Sequence, residues 1–331
     1  MKPYSSARDE FHGDATTFLD ANENPFDSGI NRYPDPMQWE VKKILGEIKG
    51  CDPRRIFLGN GSDEAIDLLM RAFCVPGVDN IVSIDPSYGM YEVAANVNDV
   101  EIRKQSLGED FDIDVEAVLA LTDNNTKLIY LCSPNNPTGN SLSTEKVLEL
   151  IRRFDGLVVV DEAYIDFSPL PSFIGRLSDF PNLVILQTLS KAYGAAGIRM
   201  GIAMANEEII GVLNKIKYPY NINILTQRRA IELLSNRNEF ERQLNAIVSE
   251  RDKLGEALKE LKCVEKVFPS HANFFLTRVT DANGIYQYLV DKGIIVRNRT
   301  NVSLCAGCLR ITVGTPAENA LLIDTLKGYA S

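Results

Sequence analysis

The sequence predicts an α/β fold in which a mostly parallel sheet of about seven strands lies between helices, followed by a smaller α+β domain. Three observations carry this expectation. Between residues 56 and 206, short β-branched runs alternate with helical stretches, the rhythm of βαβ units. Several of those runs are apolar without a break, as strands covered on both faces are. From Asn236 the pattern changes to one long amphipathic stretch reaching Leu261.

Taken in order, the first thirty residues read as an irregular arm, rich in Asn, Asp and Pro and without periodicity. Strand-like runs follow at Ile56 to Gly59, Asn80 to Asp85, Val100 to Leu107, Leu128 to Ser133, Leu157 to Asp161, Leu183 to Thr188 and Ile198 to Ala205. Helical stretches at Ser62 to Phe73, Tyr88 to Asn96 and Thr144 to Asp155 fall between them. In the long stretch, Phe240, Leu244, Ile247, Leu254 and Leu258 keep helical spacing and form one apolar stripe. Strands at Ala272 to Val279, Ile294 to Arg297 and Leu309 to Val313 then alternate with helices at Asp281 to Asp291 and Pro316 to Tyr329. The expected division is an arm at 1–30 joining the small domain, a large domain at 31–235 and the small domain at 236–331. At 331 residues the chain has the length of about two domains.

Charge and composition narrow the function. Thirty-five basic residues against 45 acidic ones give a net charge of −10, which argues against a nucleic-acid scaffold or a polybasic membrane anchor. No apolar run reaches the ~18 residues needed to span a bilayer, and the mean hydropathy is −0.10. Residues 1–14 carry no hydrophobic segment, so a reducing cytoplasm is the expected compartment. The six cysteines do not suggest a disulfide framework, and Cys305-Ala306-Gly307-Cys308 is a lone pair without the second half of a zinc site. With two histidines, His12 and His271, a His-rich metal site and a Ser-His-Asp triad are disfavoured and no metal is expected. Another side chain must move protons.

The polar clusters fall where an open parallel sheet binds ligands, beyond the carboxyl ends of its strands. Gly59 to Glu64 opens a helix with glycines and small polar residues, whose free amides suit a phosphate; Ser62 also serves as a simple helix cap. Pro86 to Tyr91 puts Tyr88 at a strand exit. Cys132 to Gly139 makes a rigid turn around Asn136. Asp161, followed by Tyr164, closes an apolar strand and needs a donor or cationic partner. Lys191, 30 positions later, ends another strand, where partial desolvation makes an amine nucleophilic. Each alone has an ordinary structural reading, Lys191 as a surface charge above all. Together they describe a site for pyridoxal 5′-phosphate.

At these residues the chain resembles the aspartate-aminotransferase-like enzymes of pyridoxal-phosphate fold type I, and within them the histidinol-phosphate aminotransferase family. The resemblance runs through Leu19 to Pro25, Arg32 to Pro36, Gly59 to Glu64, Pro86 to Tyr91, Ser133 to Gly139, Asp161 to Tyr164, Thr188 to Gly194, Gly197 to Gly201 and Leu309 to Gly314. It implies that Lys191 bonds to the cofactor and, once released, moves a proton between substrate and cofactor carbons. It implies further that Asp161 pairs with the ring nitrogen, that Asn136 and Tyr164 hold the ring hydroxyl, and that Tyr88 covers the ring face. The cofactor phosphate is then expected on Ser62, Asp63, Thr188, Ser190 and Arg199, with Tyr33 reaching the neighbouring subunit of a homodimer. Arg310 matches the substrate-carboxylate arginine, and Arg297, Tyr4 and Asn22 match further substrate contacts. The implied substrates are histidinol phosphate with glutamate and 2-oxoglutarate. A phosphothreonine decarboxylase and an aromatic-amino-acid transaminase use the same cofactor and remain alternatives.

Overall fold

In the computed structural model, residues 11, 13 and 16–329 are described; Tyr4 and His12 lie outside them. Helix α1 (Trp39–Lys49) leads into β1 (Ile56–Asn60), α2 (Ser62–Phe73), β2 (Asn80–Asp85), α3 (Met90–Val97), β3 (Glu101–Ser106), α4 (Val115–Ala120) and β4 (Thr126–Cys132). Then come α5 (Thr144–Arg153), β5 (Leu157–Asp161), β6 (Leu183–Thr188), β7 (Met200–Met204), α6 (Glu207–Ile216) and α7 (Ile224–Ser235). The remainder is α8 (Arg237–Lys259), β8 (Val264–Val267), β9 (Phe274–Val279), α9 (Ala282–Asp291), β10 (Arg297–Asn298), β11 (Cys308–Thr312) and α10 (Pro316–Tyr329).

β1 to β7 form one seven-stranded sheet in the order β1-β7-β6-β5-β4-β2-β3. Strands β2 to β6 pair in parallel, while β7 is antiparallel to both β1 and β6. The carboxyl ends of β1, β2, β4, β5 and β6 therefore share one edge, and β7 enters from that edge. Arg199, one residue before β7, stands there beside them.

The alternation of side chains along each strand decides which core they join. Val158 and Val160 pack on one face of the sheet with Ile129, Ile185 and α5, whereas Val159 packs on the other with Tyr130, Val184 and α2. Burying each such side chain is worth ~1.5–3 kcal/mol, and the uninterrupted apolar strands supply this on both faces. A second sheet of four strands, β10-β11-β9-β8, packs with α8, α9 and α10 around Leu258, Ile285, Leu309 and Leu326.

Local chemistry sets the helix ends. Ser143 accepts from the Lys146 amide to start α5, and the Asn236 side chain does the same for Glu239 at the start of α8. Thr315 and Glu318 bond reciprocally ahead of α10, a capping box. The expected strand Ile294 to Arg297 is corrected: pairing begins only at Arg297, and Ile294 and Val296 ahead of it pack against the small apolar core from outside the ladder. The structure also adds α1, α4, α6, α7 and β8. At the start of α1, Gln38 is left-handed (φ 52°) and makes no cap bond; the Asp35 side chain accepts from the Trp39 amide instead, at 2.7 Å. β8 is a half-exposed edge strand, too polar to stand out as one.

Candidate active site

The shared strand edge opens into a cleft of about 650 Å³, closed on its far side by β10 and β11. Its floor carries an anion cradle. Gly61 precedes α2 with φ 74° and no side chain to cap it, so the first amides of a twelve-residue helix point into the cleft. A Cβ on Gly61 would come within 2.6 Å of the Arg199 guanidinium, and one on Gly201 within 2.1 Å of the Gly61 backbone. Glycine at these positions lets the two segments meet. Around this point the Thr188 hydroxyl donates to Ser190 Oγ (3.0 Å) and accepts from the Ser190 amide (3.1 Å). Arg199 lies 3.6 Å from Asp63, whose other oxygen accepts from the Tyr88 hydroxyl at 3.0 Å.

Asp161 ends β5 only 2% exposed. Its carboxylate accepts from the Tyr91 hydroxyl at 2.8 Å and the Ala163 amide at 3.1 Å. Burial pushes it up to about 6 against the pull of those two bonds. No lysine or arginine pairs with it among the described residues, so a protonated ring nitrogen would supply the counter-charge this buried acid lacks. The next residue, Glu162, turns to the opposite side and accepts from Ser172, Gln187 and the Phe173 amide. The cradle and Asp161 thus fit the two ends of pyridoxal phosphate, its phosphate and its ring nitrogen.

Lys191 lines the same cleft, its Nζ 5.5 Å from the centre of the Tyr164 ring. Burial first, and then the positive charge of Arg310, lower its pKa from the usual lysine value and enlarge the fraction present as free amine. Burial also raises Tyr164 and Tyr88, which stay protonated donors at neutral pH. The opposite wall comes from the small sheet. Arg310 Nη1 donates to Asn136 Oδ1 at 2.5 Å, Asn136 Nδ2 donates to the Tyr164 hydroxyl at 3.4 Å, and the Tyr164 ring meets Phe274 of β9 edge-on. This relay ties the two sheets together across the cleft.

Ser62, Asp63, Tyr88, Asn136, Asp161 and Tyr164 thus line one cavity, as do Thr188, Ser190, Lys191, Arg199, Arg297 and Arg310. Asn22 and Tyr33 do not line the cleft of their own chain. Asn22 is exposed with φ 54°, and Tyr33, 50% exposed, stacks on Tyr220 at 4.4 Å. Tyr91 and Arg299 are among the lining residues that the sequence reading did not single out. Tyr91 was visible in its motif, but its bond to Asp161 depends on how α3 lies over the sheet. Arg299 follows Arg297 by two residues, and that strand alternation was the available signal.

A family model for aminotransferase class I and II matches residues 17–326. The chain is 61% identical to the histidinol-phosphate aminotransferase of Parabacteroides distasonis, over 99% of this chain and 95% of that one. Its fold is similar to the histidinol-phosphate aminotransferase of Clostridium acetobutylicum, with TM-score 0.85 and 28% identity over 91% of each chain. It is likewise similar to the Sinorhizobium meliloti histidinol-phosphate aminotransferase in complex with pyridoxal-5′-phosphate, with TM-score 0.81 and 26% identity over 90% of this chain and 82% of that one. With a match across most of its length and a cleft of this chemistry, the chain belongs to the aminotransferase class I and II family.

Proposed function

We propose that the protein is a pyridoxal-phosphate-dependent transaminase that exchanges an amino group between histidinol phosphate and 2-oxoglutarate, in histidine biosynthesis. The observation that carries this is the meeting in one cleft of a lysine of lowered pKa, a buried acid without a cation, and anion-binding groups on two opposite walls. The high identity to named relatives supports the choice of substrate. When bound, pyridoxal phosphate supplies an electron-accepting ring that stabilises negative charge on the substrate carbon.

The chain's own residues do the rest. Ser62, Asp63, Thr188, Ser190 and Arg199 hold the cofactor phosphate, Asp161 keeps a proton on the ring nitrogen, and Asn136 and Tyr164 direct the ring hydroxyl. Tyr88 covers the ring face. Lys191 Nζ takes the proton from the amine-bearing carbon of the substrate and returns it on the other side of the exchange, the role that the scarce histidines leave open. Arg310 binds the glutamate α-carboxylate in one half-reaction and the histidinol-phosphate phosphate in the other, a fork suited to either anion. Arg297 and Tyr4 are further substrate contacts, whereas Asn22 stands outside the cleft of its own chain.

The same reading makes the protein a cytoplasmic homodimer, with the arm at 1–30, the large domain at 31–235 and the small domain at 236–331. Tyr33 then reaches the cofactor phosphate of the second copy. Its exposure, and that of Trp39, Tyr218 and Leu225, supports such a face. Among the described residues no helix is long and apolar enough to cross a membrane.

The test is a substrate panel read by glutamate formation from 2-oxoglutarate. Histidinol phosphate should be turned over well above phenylalanine, and phosphothreonine should release no CO2. Preference for phenylalanine, or CO2 release without 2-oxoglutarate, would refute the proposal. Sedimentation of the loaded protein should give twice the chain mass of 36.8 kDa.

A further inference from the structure

In the ladder between β10 and β11, Arg297 stands opposite Arg310, and the Arg299 amide donates to the Cys308 carbonyl at 2.9 Å. Residues two apart on a strand, and residues directly opposite on paired strands, share a face. Arg297, Arg299 and Arg310 therefore present three guanidinium groups to the same side, and all three line the cleft. Like charges so placed repel one another.

Among the described residues no carboxylate pairs with any of the three, although Asp85 lines the same cavity. Arg310 has the neutral Asn136 as its acceptor. The Nε of Arg299 is buried and makes no hydrogen bond. The titratable groups beside Arg299 are no counter-ions either: burial raises the Cys305 thiol to about 12 and holds Tyr164 protonated. Burial and the charges of Arg310 and Arg297 push Arg299 down to about 10, so it stays charged at neutral pH in an unfavourable place.

An anion relieves this arrangement, and its size matters. One guanidinium fork satisfies a carboxylate, whereas a phosphate monoester offers three terminal oxygens and nearly two charges. We infer that Arg299 is a specificity-determining residue which, with Arg297 and Arg310, makes this wall of the cleft prefer a phosphate-monoester dianion over a carboxylate. The inference rests on the proposed reading of this wall as the substrate side.

The test uses the cofactor-loaded protein, whose cradle is filled, and two unreactive probes, methyl phosphate and acetate, titrated by calorimetry. Near pH 8, Arg299→Gln should weaken methyl phosphate by about tenfold to a hundredfold, the range of one charge-assisted hydrogen bond, and acetate by less than about threefold. Arg299→Lys, which keeps the charge without the fork, should fall between. Wild-type affinity for methyl phosphate should drop toward about pH 5, as the probe's dianion takes up a proton near pH 6 and becomes a monoanion, and that drop should shrink in Arg299→Gln. Thermal unfolding of each variant checks that it is folded. Equal weakening of both probes, or of neither, overturns the inference, as does an unaltered pH step. Binding of this kind in a protein that does not transaminate histidinol phosphate would refute the proposed substrate and leave the inference standing. Unchanged KM for histidinol phosphate in an active Arg299→Gln would do the reverse.

Discussion

The two walls of the cleft solve opposite problems. On the large-sheet side, Asp161, Asn136, Tyr164 and Thr188 are buried and hydrogen-bonded to one another or to their neighbours. On the small-sheet side, Arg297 is exposed, Arg299 is half-buried, and neither pairs with an acid among the described residues. A wall whose polar groups are already satisfied suits a ligand that stays, because little must reorganise around it. A wall of unpaired cations suits ligands that come and go, and in a ping-pong transamination two different anions must take turns there. Arg310 belongs to both, because its bond to Asn136 joins the exchangeable wall to the fixed one.

This contrast can be broken by mutation, and the effects should grade accordingly. Lys191→Ala, which removes the amine beside the Tyr164 ring, should lower kcat by at least about 10⁴-fold, measured as glutamate formed from 2-oxoglutarate. Asp161→Asn should cut kcat by about 10²–10³-fold, since a neutral amide no longer holds the ring proton. The same change carries a stability signature in the cofactor-free protein. The folded pKa of Asp161, about 6, lies above its ordinary value, so the native state binds the extra proton and stability falls as pH rises through that interval. At pH 8 the variant should therefore melt higher than wild type, by up to about 3 kcal/mol of stability, and below about pH 4 the gain should vanish. A variant that melts lower at both pH values would show that the buried charge is not a cost.

Smaller effects should separate the walls more finely. Arg297→Ala should raise KM for histidinol phosphate by about tenfold or more, and KM for glutamate far less. Equal effects on the two would remove Arg297 from the phosphate contacts. Tyr91→Phe deletes one of the two bonds on Asp161, and should cost about threefold to tenfold in kcat with KM for both substrates unchanged. A shift in KM instead would place Tyr91 on the exchangeable side.

Much of this molecule is legible in its sequence. The strands β2, β5 and β6 are found where the largely apolar runs begin and end, because a strand buried on both faces keeps few polar positions to blur its limits. Lys191, Asp161 and the Gly61 loop stood out because each is a polar interruption at the end of such a run. Weaker signals were lost where burial is partial. β8 shows no clean alternation, and β10 is only two residues long although the apolar residues before it pack against the small core.

What the sequence determined by itself is therefore the fold class, the edge of the sheet that carries chemistry, and the reactive amine. These follow from local pattern and from the polarity of short segments. Only the tertiary structure decided which residues face one another across the chain. The Tyr91 bond to Asp161 spans 70 positions, the Arg310 bond to Asn136 spans 174, and the shared face of three arginines depends on the register of β10 against β11. No local propensity encodes such distances. They are set when two sheets, each closing its own apolar core, come to rest with their polar edges together.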